Sequence, residues 1–366
     1  MPLSFTSLRP ASAGFLPLIA AAIFASPVAL AQDKLSGSAT DKAPVASPHN
    51  PLFVGADPDL VSACGRWWLY STHAIDPKTG WAADRLYAWS SPDLRHWKRG
   101  SRILDMKDIG WIKDDGAKFH ALWAPSLAEA NGRYYFYYSV GPQNPTPSRI
   151  GVAVADSPAG PFRDSGKPLL TGGNGFEAID PMVFIDPASH IPYLYAGGSA
   201  GAKLRIFELK PDMTEIAREI PVETPPQFTE GAFMHVRDGV YYLSYSHGHW
   251  NGPDYSVHYA TAPGPTGPWT YRGAILTADA THQGPGHHSF VRDPSTGRWF
   301  IAYHRWERGP GPGPYVGARK VAIEAIHYLD DGRIAPIQMS DGPPPRAPLK
   351  AASCTSTAAA SDSRGK

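Results

Sequence analysis

The chain has 366 residues with 34 basic and 33 acidic side chains, so its net charge of +1 does not suggest a nucleic-acid partner. Its 36 glycines, 38 prolines and 11 tryptophans, with few long helical patterns, favour short strands joined by many turns. The length could hold two domains, but one repeat continues from about residue 50 to residue 339 and indicates a single all-β unit.

The N-terminal segment is predicted to be a signal peptide. Arg9 precedes the apolar stretch 14–30, which two prolines interrupt, and Ala29-Leu30-Ala31 fits the small-x-small cleavage rule. A retained membrane anchor is the alternative, although the stretch is short for a transmembrane helix. We therefore expect a signal peptide over 1–31, a secreted or periplasmic protein beginning at Gln32, and a disordered leader over 32–49.

The same pattern occurs five times after this leader: a short polar segment, a turn, and an aromatic strand. The copies are ADPDLV…GRWWLYS, WAPSLA…GRYYFYYS, IDPMVF…IPYLYAG, TEGAFM…GVYYLSYS and HHSFVR…GRWFIAYH. Two further strand-like runs with turn residues follow each copy. Repeats 50 to 67 residues apart are typical of propeller blades. The sequence predicts a five-bladed β-propeller over 50–342, with four antiparallel strands per blade, and a disordered tail over 343–366.

Aligning the five copies places one residue of each in an equivalent position: Asp57, Ala124, Asp180, Glu230 and His287. Because the first strand of every blade lines the axis, three carboxyl groups and one imidazole should converge there. A single Asp-Pro pair is more often a turn element. Three buried like charges are costly unless function requires them, so we interpret the cluster as catalytic.

Three convergent carboxyl groups suit hydrolysis of a glycosidic bond with inversion. One carboxylate deprotonates the attacking water, and one carboxylic acid protonates the leaving oxygen. A third acidic group nearby can keep that acid protonated, because like charges disfavour a second ionisation. Asp57, Asp180 and Glu230 supply these three groups from three sides of one pocket.

Five short motifs in fixed order resemble glycoside hydrolase family 43 over essentially residues 50–342: ADP at 56–58, WAP at 123–125, AIDP at 178–181, TEGA at 229–232 and GHHS at 286–289. The resemblance implies a five-bladed propeller that hydrolyses α-L-arabinofuranosides or β-D-xylosides with inversion of the anomeric centre. It also implies Asp57 as the general base, Glu230 as the general acid, and Asp180 as the group that controls and orients that acid.

The resemblance also implies that His287 lies near a structural calcium or similar ion on the propeller axis, approached mostly through water. Histidine is a poor calcium ligand by itself, so a neutral histidine that holds inner strands together is the alternative. We expect no organic cofactor. The pair His247 and His249 could suggest zinc, but a third ligand is lacking in the sequence around them.

Four further residues are predicted to contact substrate. Arg319 resembles the family's substrate-binding arginine, with a surface salt bridge as the alternative, and Trp123 could stack on a sugar ring or pack in the core. Phe53 and His249 are predicted pocket walls. The aromatic runs such as 134–138 are predicted to be core instead, because they belong to second strands between blades.

The expected substrate is an arabinose- or xylose-containing oligosaccharide or polysaccharide. Since the chain ends soon after its fifth repeat, without the β-sandwich of many related xylosidases, we favour an α-L-arabinofuranosidase. A β-D-xylosidase or an endo-α-1,5-arabinanase remain alternatives. We expect a monomer without a membrane partner after cleavage. Cys64 and Cys354 could form a disulfide or remain free thiols.

Rival functions are less consistent with the motifs. Five-bladed fructoside hydrolases carry an Asn-Asp-Pro-Asn-Gly opening and a Glu-Cys pair, whereas this chain has ADPDL at 56–60 and Glu230-Gly231. A sugar-binding propeller without activity would not need three convergent acids. A protein-interaction propeller would place its function on surface loops and would tolerate apolar residues on the axis.

Overall fold

The computed structural model describes residues 46–73, 83–199, 201–352 and 354. These residues form five antiparallel sheets, which confirms the predicted five-bladed β-propeller with four strands per blade. The predicted signal peptide and most of the predicted leader lie outside the described residues. No helix in the described part of the chain is long and apolar enough to cross a membrane.

The blades follow one another along the chain, and each begins with its innermost strand. Blade I contains β2 (Ala56–Ala63), β3 (Arg66–Thr72), β4 (Arg85–Ser91) and β5 (Lys98–Asp105). Blade II contains β6 (Leu122–Ala130), β7 (Arg133–Val140), β8 (Arg149–Ala155) and the short β9 (Arg163–Asp164) and β10 (Leu170–Thr171), which both pair with β8. Blade III contains β11 (Met182–Ile185), β12 (Pro192–Ala196), β13 (Arg205–Leu209) and β14 (Ile216–Ile220).

The last two blades complete the ring. Blade IV contains β15 (Glu230–Arg237), β16 (Val240–His247), β17 (Ser256–Ala262) and β18 (Thr270–Leu276). Blade V contains β19 (His282–Arg292), β20 (Trp299–Glu307), β21 (Lys320–Ile326) and, outermost, β1 (Phe53–Val54) from the other end of the propeller sequence. Phe53 pairs with Val321, so the strand before blade I closes blade V.

A C-terminal strap, residues 343–352, runs along blade I. The Ala347 N–H donates to the Asp93 carbonyl oxygen at 3.1 Å, and the Trp67 Nε1–H donates to the Ala347 carbonyl oxygen at 2.7 Å. Cys354 then forms a disulfide with Cys64, which answers the question that the sequence left open. The predicted boundary of a disordered tail at residue 343 therefore falls within an ordered segment; residues 353 and 355–366 lie outside the described part.

The aromatic second strands form the core between neighbouring blades, as predicted. All five side chains of the run 134–138 are buried. Tyr137, for example, packs in a cluster with blade III and donates its hydroxyl to the Met213 carbonyl oxygen at 2.7 Å. Because both faces of these strands pack against protein, the aromatic residues do not alternate between core and solvent.

Polar residues near the ends of four of the five aromatic second strands link their blades to the next ones. Four backbone N–H groups of inner strands donate to such residues: Ala124 to Thr72 Oγ1 (2.9 Å), Asp180 to Ser139 Oγ (2.9 Å), His287 to Ser246 Oγ (2.8 Å) and Asp57 to His304 Nδ1 (3.1 Å). Blade III has Gly197 at this point, and the Gly231 N–H instead donates to Asp180 Oδ2 at 3.1 Å. These bonds fix the inner strands at the end of the axis where the acids lie.

Candidate active site

The three predicted acids meet at one end of the propeller axis. Asp57 lies in β2, Asp180 lies just before β11, and Glu230 begins β15. Their exposed fractions are only 6, 7 and 7%. All three border one pocket of about 220 Å³, whose lining also includes His287, Trp123, Trp250, Arg319, Ser199, Ile179, Pro142 and Gln143. The inner strands thus bring together residues that are far apart in the sequence.

Beside the pocket, one residue of each blade has a backbone in the left-handed region, which few residues other than glycine adopt readily. The φ angles are 53° for Asp57, 45° for Ala124, 56° for Asp180 and 38° for His287. In blade IV, however, Gly231 takes this position with φ 62°, and Glu230 precedes it. Glu230 pairs with Ser246 as Trp123 pairs with Ser139. The sequence alignment of Glu230 with Asp57 was therefore wrong by one residue.

Asp57 is surrounded by groups that favour its ionised form. Arg319 Nη1 donates to Oδ1 at 3.0 Å, and the Thr72 hydroxyl donates to Oδ2 at 2.6 Å. Burial alone would raise the pKa of Asp57, but Arg319, His287 and His304 together hold it well below its usual range. Asp57 is therefore a carboxylate at neutral pH, as a base requires.

Asp180 has much weaker charge compensation. It accepts the Gly231 N–H and has His287 Nδ1 at 3.5 Å. Burial raises the pKa of Asp180 to about 7; the imidazole of His287 opposes this shift, whereas the charges of Glu230 and Asp57 add to it. The two aspartates thus differ in charge state near neutrality although both are buried.

Two hydroxyl groups hold Glu230, and neither was predicted from the sequence. The Tyr255 hydroxyl donates to Oε1 at 2.7 Å, and the Ser199 hydroxyl lies 3.1 Å from Oε2. Tyr255 is buried directly before β17, while Ser199 lines the pocket. Each carboxyl oxygen of Glu230 therefore has its own partner, and Oε2 is the one on the Ser199 side.

The predicted substrate-binding residues separate into two groups. Trp123 and Arg319 line the pocket, and the Arg319 guanidinium lies 5.0 Å from the ring centre of Trp250, which also lines the pocket and directly follows His249. His249 is instead exposed, with Nδ1 at 2.7 Å from Asn251 Oδ1, and does not line this pocket.

Phe53 also lies away from the pocket, so its predicted role as a pocket wall is corrected. It belongs to β1, the outermost strand of blade V, and its ring stacks on that of Trp89 at 3.9 Å between centroids. Both rings belong to the core cluster shared by blades V and I. Phe53 is near the ADP motif in sequence, but β1 and β2 belong to different blades.

His287 lines both the pocket of the acids and a small axial cavity. Its Nδ1 is 3.5 Å from both Asp57 Oδ1 and Asp180 Oδ2. Burial would lower the pKa of His287, but Asp180, Asp57 and Glu230 raise it overall. The cavity holds about 20 Å³, enough for one water or ion, and its lining includes Asp59. Burial raises the pKa of Asp59 to about 7.

The side chains of Asp59, Asp180 and Ser289 are among those that line this cavity, and they offer oxygen atoms, the ligand type that calcium takes in sets of six to eight. Asp59 is the second aspartate of the ADPD sequence and was not predicted as a site residue. Among the described residues, another close ligand-type group is formed by His282, Glu307 and Asp341. The Arg305 guanidinium already donates to Glu307 and Asp341, at 2.7 and 2.8 Å, so that group is an ion-pair network.

A buried pocket with three convergent carboxyl groups on a five-bladed propeller defines a glycoside hydrolase active site. The model of the glycosyl hydrolases family 43 matches residues 48–334. The chain therefore belongs to this family, as the motifs indicated.

Individual relatives agree with this assignment. The chain is 33% identical over 315 residues to a β-D-galactofuranosidase of Aspergillus niger, covering 80% of this chain and 85% of that protein. It is 31% identical over 280 residues to a xylosidase/arabinosidase of Humicola insolens, covering 63% and 78%. Among solved structures, a thermostable family-43 glycoside hydrolase has a TM-score of 0.67 at 26% identity, covering 83% of this chain and 99% of that one.

A compost-metagenome structure belongs to the same group. It is a β-xylosidase/α-arabinofuranosidase with xylotriose, in a calcium-free form, with a TM-score of 0.64 at 28% identity. The match covers 80% of this chain and 98% of that one. The relatives differ in the sugar that they are named for, so the family, and not the sugar, follows from them.

Proposed function

We propose that this protein is a secreted, inverting α-L-arabinofuranosidase that acts on arabinose-containing plant oligosaccharides or polysaccharides. The observation that carries the proposal is the pairing of an ionised Asp57 with a hydrogen-bonded Glu230 across one small pocket. Relatives named for furanoside substrates support it: the Aspergillus niger galactofuranosidase, and an arabinoxylan arabinofuranohydrolase of Bacillus subtilis that is 31% identical over 299 residues.

The reaction proposed for this pocket is a single displacement by water. Asp57, held ionised by Arg319, takes the proton of the attacking water, and Glu230 gives its proton to the glycosidic oxygen that leaves. Asp180 contacts neither of these protons in this scheme. Its proposed role is to orient and modulate the acid, because the negative charge of Asp180, when this group is ionised, acts on the neighbouring Glu230.

The pocket dimensions support action on a terminal sugar. Its volume is about 220 Å³, and Pro142, Gln143 and Trp250 are among the residues that line it. An endo-acting arabinanase would need an open groove for the polymer. Trp123, which lines the same pocket, offers an aromatic face to the bound sugar ring.

A calcium ion near His287 is part of the proposal. Asp59, Asp180 and His287 would surround it, directly or through water, and it would supply a fixed positive charge beside the acids. If calcium binds there, the apparent melting temperature of the wild-type protein should rise with calcium chloride and fall with EDTA. Asp59→Asn should reduce that difference. Export to an oxidising compartment is supported by the Cys64–Cys354 disulfide.

A panel of 4-nitrophenyl glycosides tests the proposed specificity. We expect the highest kcat/KM with the α-L-arabinofuranoside, and lower values with the β-D-xylopyranoside and the β-D-galactofuranoside. Faster cleavage of the xyloside would instead make the protein a β-xylosidase. A rapid fall in the viscosity of linear arabinan would indicate endo action, and hydrolysis of none of these substrates would contradict the proposal.

A further inference from the structure

Two stacked rings lie beside the pocket without any role in the scheme above. The imidazole of His304, in β20, and the phenol ring of Tyr255, before β17, are nearly parallel at 11° with centroids 5.8 Å apart. Both side chains are buried, with exposed fractions of 0 and 1%. One ring comes from blade V and the other from blade IV, so the stack crosses a blade boundary.

Each ring holds one of the two catalytic acids. His304 Nδ1 accepts the backbone N–H of Asp57 at 3.1 Å and lies 3.4 Å from Asp57 Oδ1. On the other ring, the Tyr255 hydroxyl donates to Glu230 Oε1 at 2.7 Å. The stack is thus a continuous connection, of two hydrogen bonds and one ring contact, between the proposed base and the proposed acid.

The ionisation of both rings suits these hydrogen bonds. Burial and the nearby Arg319 lower the pKa of His304 to about 4, so its Nδ1 keeps a free lone pair at neutral pH. Burial, together with the charge of Glu230, raises the pKa of Tyr255 well above its usual range, so the phenol remains a donor. Near neutral pH, His304 therefore acts as the acceptor and Tyr255 as the donor.

Gly286 leaves the space that the stack occupies. A Cβ atom at Gly286 would overlap the ring of Tyr255, and Gly286 pairs with His304 between β19 and β20. The φ angle of Gly286 is not in the left-handed region, so the glycine is needed for space and not for backbone conformation. This gives a physical reason for the glycine of the GHHS motif.

We propose that the Tyr255–His304 stack positions Glu230 relative to Asp57 and thereby fixes the space for the attacking water between the two carboxyl groups. The inference rests on the acid and base roles proposed above. Tyr255 and His304 are positioning residues, since they act through the two acids. Because Tyr255 holds Oε1, the geometry assigns the transferred proton to Oε2, on the side of Ser199.

The test compares Tyr255→Phe, which keeps the ring and removes the donor, with the control Tyr242→Phe. Tyr242 is also buried and stacked, on Tyr259 at 6.3 Å, and its hydroxyl donates to the Gly332 carbonyl oxygen, far along the blade from the acids. kcat and KM are measured on a 4-nitrophenyl glycoside and on an oligosaccharide of the same sugar, together with melting temperatures. The sugar is the one that the wild-type enzyme cleaves fastest.

We expect Tyr255→Phe to lower kcat on the oligosaccharide about 10- to 100-fold, with little change in KM, and to lower it less on the nitrophenyl glycoside. The activated leaving group departs with little help from the acid. Tyr242→Phe should lower only the melting temperature. Gly286→Ala, which keeps every hydrogen-bonding group but displaces the Tyr255 ring, should lower kcat on both substrates.

Equal kcat values for Tyr255→Phe and Tyr242→Phe would overturn the proposal. Equal losses on the two substrate types would also overturn it, because a purely structural defect does not distinguish leaving groups. A wild-type preference for a xyloside would contradict the proposed specificity but would leave this comparison intact, since both variants are judged on the preferred sugar. If Gly286→Ala fails to fold, the two tyrosine variants still decide the question.

Discussion

Asp57 and Asp180 show how one backbone position can give two different acids. Both follow the same turn of the inner strand, with φ angles of 53° and 56°, and both lie 3.5 Å from His287 Nδ1. Yet the pKa of Asp57 is well below its usual range, whereas burial raises that of Asp180 to about 7. The two carboxyl groups therefore have different charges near neutral pH.

The difference comes from the preceding blade in the ring. Blade V places Arg319 and His304 against Asp57, whereas the Asp180 backbone donates to the neutral Ser139 of blade II. In this propeller the neighbouring blade, more than the repeat itself, thus determines the ionisation of an axial acid. That distinction favours Asp57 as the base and Asp180 as a modulating group.

Asp57→Asn and Asp180→Asn test the comparison most strongly. Asp57→Asn should lower kcat/KM about 10²- to 10⁴-fold on every substrate, because the attacking water loses its base.

Asp180→Asn resembles the protonated wild-type residue. Its kcat/KM should therefore be close to that of the wild type at pH 5 and fall below it as the pH rises past about 7. Similar pH-independent losses in both variants would contradict the assigned difference.

Glu230→Gln sharpens the comparison from the other side of the pocket. The variant should lose about 10²- to 10⁴-fold on an oligosaccharide but much less on an aryl glycoside, whose leaving group needs little protonation. The kcat/KM values of wild type and variant on both substrates give the answer. If the losses were equal, Glu230 could not be the acid, and Asp180 would have to be considered instead.

Arg319→Met should make Asp57 more like Asp180. Without the guanidinium, the pKa of Asp57 should rise, so that the base is protonated at higher pH. The acidic limb of the kcat/KM profile should then move up by about 1 to 3 pH units. Arg205→Met, which breaks an exposed pair with Glu219 in blade III, is the control. An unchanged acidic limb would show that Arg319 does not set the ionisation of Asp57.

The Cys64–Cys354 disulfide should have the smallest effect on catalysis. It fixes the C-terminal strap to the turn between β2 and β3, the end of blade I remote from the acids. Cys354→Ser should lower the free energy of unfolding by about 2–4 kcal/mol and leave kcat unchanged at temperatures where the protein is folded. Thermal unfolding and initial rates measure the two quantities. A lower kcat in the folded variant would indicate that the strap also positions blade I.

The sequence predicted the number of blades and the convergence of Asp57, Asp180, Glu230 and His287, because repeated apolar patterns fix which strands lie on the axis. It misplaced Glu230 by one residue. In blade IV the residue with the left-handed backbone is Gly231, and the acid is the residue before it. It also assigned Phe53 to the pocket, although pairing with β21 takes β1 to the outside of blade V. Pairing between distant strands was not visible in the local pattern.

Residues that support the acids were missed for a related reason. Tyr255 directly precedes β17 and Ser199 follows β12, so neither stands at the position that was compared between the five copies. His304 could have been found, because it takes the place in the fifth aromatic strand that Thr72, Ser139 and Ser246 take in three of the others. A histidine in a series of small hydroxyl residues is a signal for a special role.

The anomeric configuration of the first-formed sugar tests the central claim most directly. If Asp57 activates water and Glu230 protonates the leaving group, the two carboxyl groups should lie about 6.5 to 9.5 Å apart and hydrolysis should invert the anomeric centre. Proton NMR during the first minutes of hydrolysis, before mutarotation, should therefore show the inverted anomer first. Initial release of the retained anomer would require a nucleophilic residue and would contradict the roles assigned to Asp57 and Glu230.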